Sequence, residues 1–209
     1  MKYFLLLILT LLLISCAADP SIDQNNLKLI NNISMTQEAR RENFLYDQAL
    51  QQLREVHPEA YLLYEQADEA EIRGELEIAI ELYHKAMQQA PENGFLLTRL
   101  GMVYLRNEDI VPARRYLLRA VSYDPGYFKP KLGLGYIYLQ NQQLQKAVTQ
   151  LEGSLRLLPT VEGTFLLAEA KAAQGHLLEA KQLYQTVVKV DKNSKLGKAA
   201  VIRLRSLSK

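Results

Sequence analysis

The 209-residue chain predicts an all-α fold, a solenoid of helix–turn–helix units, and three observations carry the prediction. Pro91, Pro125 and Pro159 are each separated by 34 residues. Small residues keep the same spacing: Ala79, Ala113 and Ala147; Ala86, Ala120 and Ser154; Ala67, Gly101 and Gly135. Large apolar residues form columns of their own, with Tyr83, Leu117 and Leu151 in one, Leu100 and Leu134 in another, and Tyr104 and Tyr138 in a third. Small residues let two antiparallel helices approach closely, and large ones fill the remaining gap to interior density. Proline then ends the second helix of each unit.

The first element is a signal segment over residues 1–15. Lys2 precedes an apolar run from Tyr3 to Ile14, interrupted only by Thr10. A bilayer core needs about 20 apolar residues, so this run is too short to span one. It has the dimensions of a secretory apolar region with a small residue, Ser15, at the cleavage site. Cys16 is the only cysteine, which leaves it no partner for an internal disulfide. The stretch Leu13-Ile14-Ser15-Cys16 resembles a bacterial lipobox. That resemblance implies that Cys16 becomes a lipidated N-terminus and that its acyl chains anchor the protein to a membrane. Ala17 follows the cysteine, which by the sorting rule of enteric bacteria implies the periplasmic face of the outer membrane. An ordinary signal peptide or a short anchor is the alternative. No cofactor is expected beyond the lipid on Cys16.

Residues 16–35 are rich in Asn, Asp, Ser and Gln and read as a flexible tether. A random coil of that length reaches about 25 Å. A lead helix is expected over 36–57, where Thr36 caps and Phe44, Leu45, Ala49, Leu50, Leu53 and Val56 recur at helical spacing. His57 ends it, because the residue before a proline avoids the α region.

Four copies of the repeat follow, at 60–93, 94–127, 128–160 and 161–193. In the fourth, one residue is deleted, Ala168, Gly175, Leu177, Ala180 and Tyr184 hold the register, and Lys192 replaces the proline. Ser194 opens a capping helix over 194–209, as a solenoid end requires. The 34-residue register resembles the tetratricopeptide repeat. This implies a right-handed superhelix whose first helices line a concave groove.

The resemblance places Tyr61, Tyr64, Asp68 and Glu71 in that groove from the first copy. Phe95, Thr98, Met102, Leu105 and Arg106 follow from the second, and Lys129, Leu132, Tyr136, Leu139 and Gln140 from the third. Phe165 and Glu169 continue it. Several are Tyr, Phe, Met or Arg, the types enriched at binding hot spots. The expected occupant is a peptide or helix of another protein; the lead helix of the same chain is the alternative occupant. Carboxylate-clamp repeats need Lys and Asn where this chain has Tyr64 and Asp68, so that specificity is not expected.

Catalytic chemistry finds no footing in the sequence. His57, His84 and His176 are isolated from other metal-ligand types at ligand spacing. Gly133-Leu134-Gly135 begins like a dinucleotide loop, but Tyr138 stands at the third glycine position. No G-x-S-x-G elbow occurs. The expectation is a non-enzyme with no metal site. A formal net charge of +2 also argues against a nucleic-acid partner. Charge is nevertheless segregated: from Glu55 to Glu81 nine acidic residues face Arg73 alone, and from Lys189 to Lys209 seven basic residues face Asp191 alone.

The chain resembles the small repeat lipoproteins that serve type IV or Flp/Tad pili, including pilotins. This implies an adaptor role, with a secretin or pilus component as partner. The alternative is an adaptor regulating peptidoglycan hydrolases or other envelope-biogenesis proteins.

Overall fold

The structure, a computed structural model, describes residues 35–207. The signal segment, Cys16 and tether residues 17–34 lie outside them. Ten α-helices make up the described part, with no strand among the described residues. They are α1 (Met35–Val56), α2 (Pro58–Arg73), α3 (Leu76–Gln89), α4 (Gly94–Arg106), α5 (Ile110–Tyr123), α6 (Phe128–Gln140), α7 (Leu144–Leu157), α8 (Val161–Ala173), α9 (Leu177–Asp191) and α10 (Lys195–Ser206).

The helices α2 to α9 form four hairpins, each stacked on the next. The small-residue columns are the reason the hairpins close. Ala67, Ala79, Ala86, Ala113, Ala120, Ala147, Ala168 and Ala180 are all fully buried. At Gly101 and Gly135 the approach is closer still. A Cβ on Gly101 would sit 2.7 Å from Leu117 Cγ, and one on Gly135 would sit 2.5 Å from Leu151 Cγ. Where the glycine column holds alanine instead, as at Ala67 and Ala168, the large column holds Tyr83 and Tyr184.

Every hairpin turns in the same way. Gly74, Glu108, Gln142 and Gly175 take positive φ of 80°, 62°, 56° and 84°. The next amide then reaches back to a carbonyl five residues earlier, as Asp109 N to Tyr104 O at 2.9 Å. This is the left-handed ending that satisfies the last carbonyls of a helix. Two of the four positions hold non-glycine residues in a region that favours glycine. First helices start on side-chain caps at Asn93, whose carbonyl oxygen accepts from Leu96 N at 2.9 Å, and Thr160, which accepts from Gly163 N at 3.0 Å.

At the C-terminal end α10 packs on α9 and α8. Ser194 caps it, accepting from Gly197 N at 2.9 Å. Gly197 permits the docking, because a Cβ there would lie 1.8 Å from the Asp191 carbonyl oxygen.

Candidate functional site

Helices α4 and α6 touch, as do α6 and α8, whereas successive second helices make no comparable contact. The first helices therefore lie on the inner side of the curve, and their shared face is the groove.

Helix α1 lies in that groove. Its 22 residues reach about 33 Å, and they run against the direction of the array. Near its start, the Glu38 carboxylate accepts from Val161 N in α8 at 3.2 and 3.3 Å. One turn on, Glu42 pairs with Lys129 Nζ of α6 at 2.7 Å. Tyr46 then meets Phe95 of α4 edge-on at 5.6 Å, and its hydroxyl bonds to that of Tyr64 in α2. Leu53 is fully buried near the chain reversal at His57. Burial raises the Glu38 pKa from the usual carboxylate range, opposed by the Val161 amide and helped by neighbouring Glu42 and Glu162. Glu162 is raised for the same leading reason.

A second polar centre lies between the first two repeats. The Arg99 guanidinium pairs with Asp68, bonds Glu71 at 2.8 Å and lies over the Tyr64 and Tyr83 rings at 5.9 and 5.8 Å. Tyr83 donates to Glu71 at 2.9 Å, and Arg106 closes on the other Glu71 oxygen at 2.6 Å. Burial pushes the hydroxyl pKa values of Tyr64 and Tyr83 far up, so both stay protonated. Five groups thus satisfy one another where an unpaired charge would be costly.

These contacts correct part of the groove expected from the sequence. Tyr64, Phe95 and Thr98 are buried, at 2%, 4% and 1% exposure, two of them against Tyr46 and Thr98 with its hydroxyl on Gly94 O. Asp68 and Glu71 are held by Arg99. Lys129 is held by Glu42. Glu169 takes Arg203 of α10 at 2.7 Å and the Tyr184 hydroxyl, while Phe165 packs on Tyr184 at 5.7 Å. Tyr61 donates to Glu65 at 2.6 Å beneath Arg54. The physical reason is shared: a groove lined by charge and aromatic edges is satisfied internally wherever a chain segment reaches it.

Five of the expected residues stay together around one hollow. Met102, Leu105, Arg106, Tyr136 and the buried Leu132 join Gly133, Glu162 and Leu166 around a cavity of about 240 Å³. Tyr136 is 38% exposed at its mouth. The floor is apolar, with Glu162 and Arg106 as its charged margins. A Cβ on Gly133 would stand 2.8 Å from Leu117 Cδ1 and 3.1 Å from Met102 Sδ, so this glycine keeps the hollow deep. Arg99, Tyr46, Glu162 and Leu166 are functional-site residues that the sequence reading did not single out. The available signal for Arg99 was one cation inside the otherwise apolar run Phe95 to Leu105. Among the described residues no group of three or more His, Cys, Asp or Glu is placed to hold a metal ion.

Residues 98–162, which include most of the cavity, match the family described as tetratricopeptide repeat. The chain has a tetratricopeptide-repeat fold. Solved repeat proteins share it: MamA (residues 41 to the end) from Desulfovibrio magneticus RS-1 superposes with a TM-score of 0.60 at 17% identity, over 71% of this chain and 93% of that one. YrrB, described as a TPR protein with an unusual peptide-binding site, superposes with a TM-score of 0.59 at 20% identity, over 85% and 90%. At those identities the likeness concerns the fold. Among curated proteins, the BBSome complex member BBS4 of Bos taurus is 35% identical over 79 residues. That match takes in 38% of this chain and 15% of the bovine protein. This fold is consistent with a scaffold for protein–protein contact, and the cavity lies on its repeats two to four.

Proposed function

We propose that this chain is a lipid-anchored periplasmic scaffold that holds a protein partner in its groove, in the assembly of a pilus or secretion machine of the envelope. One observation carries the binding part. Helix α1 runs along the starts of the first helices and leaves open an apolar cavity nearer their ends, between Met102, Leu132, Tyr136 and Leu166. Apolar residues left open beside a segment that covers their neighbours are the mark of a contact site. A short helix or extended segment with one or two large apolar residues fits the cavity, and a basic residue beside them would face Glu162. YrrB, with its peptide-binding site, supports this reading as a precedent on the same fold.

Anchoring rests on the sequence. Leu13-Ile14-Ser15-Cys16 is the lipobox-like element, and the tether after it joins directly to the helix that lies in the groove. A scaffold built this way keeps its partner within a short reach of the outer membrane. The envelope machine is the role implied by resemblance to small repeat lipoproteins.

Two measurements on whole cells test the proposal. Metabolic labelling with a palmitate analogue is expected to mark the wild-type chain and not Cys16→Ser; equal labelling of both would remove the anchor. Affinity capture from crosslinked membranes is expected to recover a secretin or pilus component. A Tyr136→Glu variant is expected to lose it with helicity unchanged. Capture of the same protein by that variant would take the partner out of the cavity.

A further inference from the structure

The charge segregation of the sequence is left over when the groove has been accounted for, and the structure places it at the two ends of the solenoid. In α4, α6 and α8 the register positions that pack on the preceding repeat are buried: Leu96, Leu100 and Val103 in α4 are fully so. In α2 the same positions are Leu62, Gln66 and Glu69, and no repeat covers them. Leu62 is 57% exposed, and Ile72 on the same face is 79% exposed. Glu59, Glu65 and Glu69 flank them, all exposed. Only a loose contact to Arg73 at 3.9 Å offsets Glu69.

The opposite end is its counterpart. The outer face of α10 carries Lys195, Lys198, Ile202 and Arg205 at helical spacing. Ile202 is 64% exposed, and the three cations are exposed and in no ion pair among the described residues. One face is thus an aliphatic centre ringed by carboxylates, the other an aliphatic centre ringed by ammonium and guanidinium groups. A capped solenoid end needs only a polar outer face; it does not need exposed isoleucine or so one-sided a charge, Arg73 being the one cation beside the α2 carboxylates.

We propose that the α2 face of one copy docks on the α10 face of a second copy, so that the chains associate head to tail. Such a contact is heterologous: each copy uses a different patch, and both ends of the assembly stay free to add another. The opposed charges orient the encounter and set its salt dependence, while Leu62, Ile72 and Ile202 lose their exposure to water. An anionic lipid surface would satisfy the α10 face alone and leave the α2 face without a role, which is why a second copy is the better occupant.

Sedimentation velocity of the full chain in detergent tests this. At about 0.1 M salt, where the Debye length is about 10 Å, the mean mass is expected to rise at least two-fold with concentration; at about 1 M salt, with screening at about 3 Å, it is expected to fall back toward one chain. The variants Glu65→Lys with Glu69→Lys, and Lys198→Glu with Arg205→Glu, are each expected to stay single with unchanged circular dichroism. Mixed in equal amounts, they present opposite charges again at every junction, and the growth in mass is expected to return. A single chain at every concentration, a closed two-chain species that grows no further, or no recovery on mixing would overturn the proposal. A single chain that pellets with phosphatidylglycerol vesicles, and loses this in the Lys198→Glu, Arg205→Glu variant, would assign the basic face to lipid and overturn it as well.

Discussion

At the scale of single residues, the fold depends on how little side chain some positions carry. Gly135 faces Leu151 so closely that a methyl group would meet Leu151 Cγ at 2.5 Å. Gly135→Ala is therefore expected to destabilise by about 1–3 kcal/mol, the usual range for overpacking a core, read from the denaturation midpoint. Adding Leu151→Tyr is expected to recover part of that loss, because alanine stands opposite tyrosine in the first and fourth repeats. The small-residue columns were legible in the sequence because packing at a helix crossing is a local matter of volume, repeated at fixed spacing. Arg99 was not legible. Its role depends on Asp68 and Glu71, which come from another repeat and meet it only once the hairpins stack. Replacing it by methionine strands the Asp68 carboxylate and leaves Glu71 to Arg106 and Tyr83, and a loss of about 3 kcal/mol is expected, as for other broken buried pairs.

At the scale of elements, the turns and α1 behave differently. Glu108 and Gln142 hold positive φ where the first and fourth hairpins use glycine. Substituting glycine at either is expected to raise stability by about 0.5 kcal/mol, the relief of left-handed strain less the extra freedom of the unfolded chain. Unchanged or lowered denaturation midpoints would count against strain at these turns. Helix α1 is expected to respond to pH. Burial holds the Glu38 and Glu162 pKa values above their unfolded values. Their charged forms thus oppose docking at neutral pH, and the opposition is relieved as pH falls through the raised values toward the ordinary carboxylate range. Protection of α1 amides from hydrogen exchange is expected to increase from pH 7 to mildly acidic pH, and Glu162→Gln is expected to give the same gain at pH 7. Weaker protection in acid would contradict this. The lead helix was visible in the sequence as a periodic apolar pattern, but its destination was not. Leu45, Ala49, Leu50 and Leu53 make that pattern, whereas the contacts of Glu38 and Glu42 with α8 and α6 leave no apolar mark.

At the scale of the whole molecule, the solenoid is a groove already partly occupied by its own chain. The sequence placed the groove on the first helices, and sixteen residues were expected to line it. Their periodicity reported which helix face points inward, but not which inward residues find partners within the chain. Met102, Arg106, Leu132 and Tyr136 remain at the open cavity, since α1 passes nearer the starts of the first helices and the cavity lies nearer their ends. The central claim is that this cavity, and not the convex side, receives the partner. Photocrosslinking in cells from a reactive amino acid at position 136, compared with one at Leu118 on the convex side of α5, tests it most directly. Adducts to one defined envelope protein from position 136, and none to that protein from position 118, are the predicted result. The same protein captured from position 118, or no adduct from position 136, would contradict it.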